Sequence, residues 1–209
     1  PAEVRFDVPE QQAARTAVEQ LIERLGLQSG FAIINSGAGW PSKLWPNERY
    51  AAVARHLADV WAIPSLIVWG SQREQAAAEQ IAATAGNAAQ VAPPTPLTVL
   101  GALARRARLF LGSDTGPLHL AAAVGTPCVG LYGPWPADRH GPYGPGNIAL
   151  QKARFEGTTR QRRHAPAALM EAIGVDDVRE ACDEILGRGG KIRNPKSEIR
   201  NKSELPKEE

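Results

Sequence analysis

Short, uninterrupted apolar runs alternate along this chain with longer stretches in which apolar positions recur every three or four residues. The runs Phe31-Ala32-Ile33-Ile34-Asn35, Ser65-Leu66-Ile67-Val68-Trp69, Arg108-Leu109-Phe110-Leu111 and Pro127-Cys128-Val129-Gly130-Leu131-Tyr132 read as strands, with a shorter one at Gln90-Val91. The spaced pattern predicts a helix over residues 9–25, where Val18, Leu21, Ile22 and Leu25 share a face and Gly26 stops the helix, and further helices over 47–60, 72–85 and 97–107. Two more follow over 166–173 and 175–186, the second with Val178, Cys182, Ile185 and Leu186 as its apolar side. Strands that are apolar at every position, not at every second one, are buried on both faces. Their alternation with helices predicts an α/β fold, a doubly wound, Rossmann-like parallel sheet with right-handed crossovers.

Ligands of such a sheet bind beyond the carboxyl ends of the strands, so the loops at 36–45, 70–74, 92–95 and 113–117 are where chemistry is expected. The last is the richest. Pro117 suits a first helical position, where its missing N–H costs nothing, and Ser113, Asp114 and Thr115 are candidate caps. Gly116 permits close backbone approach, and the unpaired N–H groups of the first turn, with the helix dipole behind them, attract an anion such as a phosphate or pyrophosphate. Gly125 and Pro127 are expected to end that helix after about two turns.

Other candidates have an ordinary alternative beside the functional one. Lys43, in a loop with Ser36, Gly37 and Gly39, reads as a phosphate clamp or as a solvated lysine, and the loop matches neither a Walker A pattern nor G-x-G-x-x-G. Asp114 reads as a helix cap, a contact to a ligand hydroxyl, or both; His119 reads as a neutral donor near a helix start or as a packed histidine. Glu74 follows a strand as the acidic residues that accept ribose hydroxyls do, and otherwise is an exposed first-turn residue. Residues 133–147 combine Pro and Gly with Trp135, Arg139, His140 and Tyr143, which predicts an ordered binding loop. The basic run Arg154, Arg160, Arg162, Arg163 and His164 is expected to be a solvated loop, with phosphorylated lipid or an anionic sugar as the alternative.

Composition narrows this further. With 209 residues, 43% hydrophobic and 22% charged, the chain has material for one core of ordinary size. No stretch approaches the roughly 20 apolar residues that cross a bilayer. A net charge of +2 without an aromatic-interleaved basic stripe argues against nucleic acid. Cys128 and Cys182 lack metal or redox spacing and read as small buried hydrophobes. The chain opens on Pro1 with no cap or turn signal before Val4-Arg5-Phe6, which predicts a fragment of a longer protein, and the polar residues 188–209 are expected to be disordered.

The run Ser113-Asp114-Thr115-Gly116-Pro117-Leu118-His119-Leu120-Ala121-Ala122-Ala123, with Leu131-Tyr132-Gly133-Pro134 and Gly141-Pro142-Tyr143-Gly144 after it, resembles the bacterial ADP-heptose:lipopolysaccharide heptosyltransferases, glycosyltransferase family 9. Ser36-Gly37-Ala38, Lys43-Leu44-Trp45-Pro46, Trp69-Gly70 and Glu74 fit in the same order, so the likeness covers about residues 31–186. It implies the carboxy-terminal, donor-binding domain of a two-domain GT-B glycosyltransferase, with residues 1–29 as interdomain linker and helix and 30–187 as the nucleotide-sugar domain. Carried over, Ser36 and Lys43 hold the diphosphate of ADP-heptose together with the amides at Thr115, Gly116 and the helix start at Pro117. Glu74 takes the ribose, the backbone near Val91 meets adenine, and Asp114 contacts the donor sugar with His119 nearby. The implied reaction is an inverting displacement by a hydroxyl of the lipid A and Kdo inner core, with no metal or other cofactor. Its general base lies in an amino-terminal acceptor domain to which nothing here corresponds, so no catalytic residue is expected in this chain and nucleotide should bind without turnover. The implied setting is the cytoplasm, with peripheral contact at the inner membrane. Residues 160–170 depart from the family in lacking the cysteines that many relatives carry there. Fold does not fix chemistry, so another GT-B transferase or a sugar-nucleotide epimerase using a different nucleotide, and a noncatalytic nucleotide- or anion-binding module, stand as alternatives.

Overall fold

The computed structural model describes residues 6–188. Six strands, β1 (Ala32–Asn35), β2 (Ser65–Val68), β3 (Ala89–Val91), β4 (Leu109–Ser113), β5 (Cys128–Leu131) and β6 (Ile148–Leu150), form one parallel sheet in the order β3-β2-β1-β4-β5-β6. The helices are α1 (Gln12–Arg24), α2 (Asn47–Trp61), α3 (Gln72–Ala85), α4 (Leu97–Ala104), α5 (Gly116–Ala123), α6 (Ala137–His140), α7 (Thr159–Arg163), α8 (Ala168–Glu171) and α9 (Val175–Arg188).

Successive residues of a strand point to opposite faces, and this sheet uses both. Ala32, Ile34, Ile67, Leu109, Leu111, Val129 and Leu131 pack with α2, α3 and α9. Ile33, Leu66, Val68, Phe110 and Cys128 pack with α1, α4 and α5. This is the doubly wound architecture that the uninterrupted apolar runs predict. Both cysteines are buried, unpaired thiols; burial pushes the Cys128 thiol up to about 12 and Cys182 higher still. Among the described residues, no helix is long and apolar enough to cross a membrane.

Helix ends follow the glycines. Gly26 and Gly125 have φ of +66° and +88°, and behind each the chain closes a Schellman pair: Leu27 N–H to Ile22 O and Gly26 N–H to Glu23 O at 2.9 and 3.2 Å, then Thr126 N–H to Ala121 O and Gly125 N–H to Ala122 O, both 3.0 Å.

Several expectations need correction. The helix expected over 97–107 stops at Ala104, because Arg106 N–H and Ala107 N–H turn back to Leu103 O and Ala104 O and the chain then enters β4. The one expected over 166–173 shrinks to α8 after Pro166. Residues 133–147 hold the short α6, and the basic run is not a plain loop: Arg160, Arg162 and Arg163 lie on α7. The strand β6 was not expected, since three residues, two half-buried and one exposed, carry too little pattern. Of the tail expected to be disordered, Arg188 ends α9 and the rest lies outside the described residues.

Candidate functional site

The strand order runs outward in both directions from β1 and β4, so the connections after these two neighbours leave to opposite sides and open a crevice at their carboxyl ends. In register, Asn35 ends β1 beside Gly112 of β4. Two loops start there: residues 36–46 after β1, and Asp114-Thr115 leading into α5.

Thr115 occupies the N-cap of α5 in extended conformation, yet its hydroxyl makes no capping bond. It accepts instead from Asn35 Nδ2 at 3.2 Å, an amide that also donates to Gly37 O at 3.3 Å. One side chain thus ties both loops together and leaves the first turn of α5 without a side-chain cap. Pro117 is the second residue of that helix and not the first. Ser113 remains in β4, its Oγ 3.4 Å from the hydroxyl of buried Tyr50, and Asp114 caps nothing. The anion-attracting amides inferred from the sequence therefore stand at the switch point, and none of the three candidate caps covers them with its side chain.

Asp114, only 9% exposed, is the hub beside them. Lys43 Nζ donates to its Oδ2 at 2.6 Å and to its backbone oxygen at 2.9 Å, and His119 Nε2 lies 3.0 Å from Oδ1. Burial pushes the Asp114 carboxyl up, but the hydrogen bonds from His119 and Lys43, with the charge of both, outweigh it and hold the group below its ordinary value. The Lys43 ammonium also lies 4.2 Å from the ring centroid of Trp135. Lys43 is therefore an oriented cation, not a solvated loop lysine.

A cavity of about 270 Å³ opens next to this hub, walled by Trp69, Leu97, Leu100 and Pro117, with Glu74, Thr115 and Gly116 on its polar side. The indole of Trp69 is fixed by donation to Ala92 O at 2.7 Å. Glu74 sits in the first turn of α3, capped by Ser71, and its Oε2 accepts from Gly70 N–H at 2.8 Å. A Cβ on Gly37 would fall 2.4 Å from the Glu74 carboxyl, so a larger residue there would require that side chain to move.

The sequence-derived set is thus brought together in large part: Glu74, Thr115, Gly116 and Pro117 share one cavity, and Lys43, Asp114 and His119 form the network at its rim. Two residues are placed elsewhere. The Ser36 hydroxyl is buried without a hydrogen-bond partner, and Ser36 lines an adjacent cavity of about 450 Å³ that shares Gly37, Ala38, Gly39 and Glu74 with the first. Val91 packs against the α2–α3 core and is not part of the 270 Å³ wall. Sequence reasoning missed Asn35 and the Lys43–Trp135 contact; the available signal for Asn35 was an amide closing an apolar strand at the ligand edge. Among the described residues, no group of three or more His, Cys, Asp or Glu is arranged to hold a metal.

The sequence model of glycosyltransferase family 9 (heptosyltransferase) matches residues 1–168. Lipopolysaccharide heptosyltransferase 3 of Escherichia coli is 28% identical over 172 residues, covering 79% of this chain and 49% of the relative. The crystal structure of the glycosyl transferase family 9 from Veillonella parvula DSM 2008 superposes with a TM-score of 0.75 at 22% identity, over 87% of this chain and 53% of that one. The structure of E. coli heptosyltransferase WaaC with ADP gives 0.63 at 23% identity, over 85% and 51%. At these identities the two structures speak for the fold, and the chain spans about half the length of each of the three relatives. Because the family match runs through most of the sequence and ends well beyond the α5 site, the chain belongs to glycosyltransferase family 9, the heptosyltransferase family.

Proposed function

We propose that this chain binds the nucleotide-sugar donor, ADP-heptose, for inverting transfer of heptose to the lipopolysaccharide inner core. The observation that carries the reading is the uncapped start of α5 set beside an oriented ammonium: Thr115 and Gly116 adjoin Asp114, whose carboxylate and carbonyl both hold Lys43. In support, a family relative has been solved with ADP.

On this reading the diphosphate lies over the first turn of α5 with Lys43 at its side, adenosine occupies the Trp69–Leu97–Pro117 cavity, and Glu74 accepts from the ribose. The acceptor hydroxyl oxygen attacks the anomeric carbon as the bond to the diphosphate oxygen breaks. Charge then grows on the departing ADP, where fixed amide dipoles and Lys43 stabilise it without having to reorganise. Both Asp114 oxygens already accept one bond each and retain a lone pair, so the carboxylate keeps Lys43 in place while it takes a donor-sugar hydroxyl. The acceptor is the Kdo-bearing lipid A core, met at the cytoplasmic face of its membrane. The proton of the attacking hydroxyl leaves to a general base that, on the family resemblance, lies in the amino-terminal domain.

Calorimetry on the Lys43→Ala variant tests the assignment. ADP affinity is expected to fall about 10- to 100-fold, the worth of a charge-assisted hydrogen bond, while adenosine affinity stays within about twofold. Equal losses for the two ligands would remove Lys43 from the phosphate site.

A further inference from the structure

Asn35 is a buried amide at the end of a strand whose other residues, Ala32, Ile33 and Ile34, are all apolar. Its neighbour in register on β4 is Gly112, where a Cβ would fall 3.0 Å from Asn35 O and 3.4 Å from Asn35 Cβ, so a side chain there would crowd it. The amide reaches acceptors in two different loops, Gly37 O at 3.3 Å and Thr115 Oγ1 at 3.2 Å. Buried on a strand end and bonded twice, it is set before any ligand arrives.

One of these bonds fixes the direction of the other. A carbonyl oxygen only accepts, so the Asn35 atom facing Gly37 O is the NH2 nitrogen, and its second N–H is the donor to Thr115. The Thr115 oxygen is therefore an acceptor in that bond, and its single proton is left for another acceptor. The protein supplies none: the side chain makes no capping bond, and among the described residues Asn35 is its one hydrogen-bond partner. Thr115 lies on the wall of the 270 Å³ cavity beside Gly116, and Lys43 is held on Asp114, one residue before it. A spare hydroxyl proton next to uncapped amides and an ammonium suits one kind of acceptor, an anionic oxygen.

We propose that Asn35 is a positioning residue for the diphosphate: by donating to Thr115 Oγ1 it commits that hydroxyl to donate, so a phosphate oxygen gains a charge-assisted O–H bond besides the backbone amides. Without Asn35 the hydroxyl rotates freely, one of its rotamers sets an oxygen lone pair against the phosphate, and the productive rotamer has to be selected on binding. That the anion is the diphosphate of a nucleotide rests on the donor reading above; the polarity of the Asn35–Thr115 pair does not.

The test is a double-mutant cycle on the full chain, read by calorimetry with ADP, adenosine and inorganic pyrophosphate. Thr115→Val should weaken ADP and pyrophosphate about tenfold, and Thr115→Ser, which restores the hydroxyl, should recover that loss. Asn35→Ala should weaken the same two ligands about three- to tenfold, leave adenosine within about twofold, and cost little more when added to Thr115→Val, because it acts through the group already removed. A residue that merely holds the loops in place would add its whole loss to that of Thr115→Val. Full additivity, an equal loss for adenosine, or an Asn35→Ala protein that binds as before would each overturn the proposal. If Asn35→Ala does not fold, the threonine variants decide: equal ADP affinity for Thr115→Val and Thr115→Ser overturns it, since the hydroxyl then gives the anion nothing. Pyrophosphate binding with this coupling in a chain that fails to bind ADP would uphold the role of Asn35 and remove the donor reading, and binding of neither ligand would overturn both.

Discussion

At the scale of single residues, Asp114 joins stability to the site. Its carboxylate is held ionised by His119 and Lys43 in spite of burial, so its pKa in the folded protein lies below the unfolded value of about 4. A depressed acid stabilises the fold fully above the unfolded pKa and loses that contribution as pH falls through the lower folded one. Asp114→Asn removes the charge and leaves Lys43 without its ion-pair partner, an expected cost of about 1–3 kcal/mol near neutral pH. Denaturant titrations of both proteins should show this gap at pH 7 and a shrinking gap below pH 4. A gap that stays constant into acid would mean that the pair contributes nothing to the fold. The pairing itself was not legible: Lys43 and Asp114 are each readable as polar residues at the ligand edge, but 71 residues separate them and only the sheet order brings them together.

At the scale of elements, legibility tracks how much pattern each one carries. The strands β1, β2, β4 and β5 are buried along their whole length, so runs of three or more successive apolar residues announce them. With three residues, one of them exposed, β6 announces nothing, although it is what places Gln151 under the loop 133–140. The helix α7 was signalled weakly, by the Thr158…Gln161 capping box, but without an apolar stripe its basic composition reads as loop. Gln151→Ala should therefore do more than a surface substitution. Losing three hydrogen bonds to main chain is expected to cost about 2–3 kcal/mol of unfolding free energy. Trp135 should become more mobile in fluorescence anisotropy while ADP affinity changes little. A loss under about 0.5 kcal/mol, typical of a surface site, would show that the loop is ordered by other means.

For the whole molecule, one sheet separates two apolar layers, and the proposed donor site sits at its carboxyl edge, where Leu100 of one layer also walls the cavity. It is assembled where β1 and β4 diverge, from Asn35, Lys43, Glu74 and the α5 start. The fold class followed from strand and helix alternation, whereas the identity of the crevice needed the order β3-β2-β1-β4-β5-β6, which no local pattern encodes. The donor reading commits to one nucleotide. Isothermal titration of the full chain with ADP, UDP and GDP under identical conditions tests it most directly: ADP should bind, and at least tenfold more tightly than either alternative. Preference for UDP or GDP, or no binding of any of the three, would contradict it.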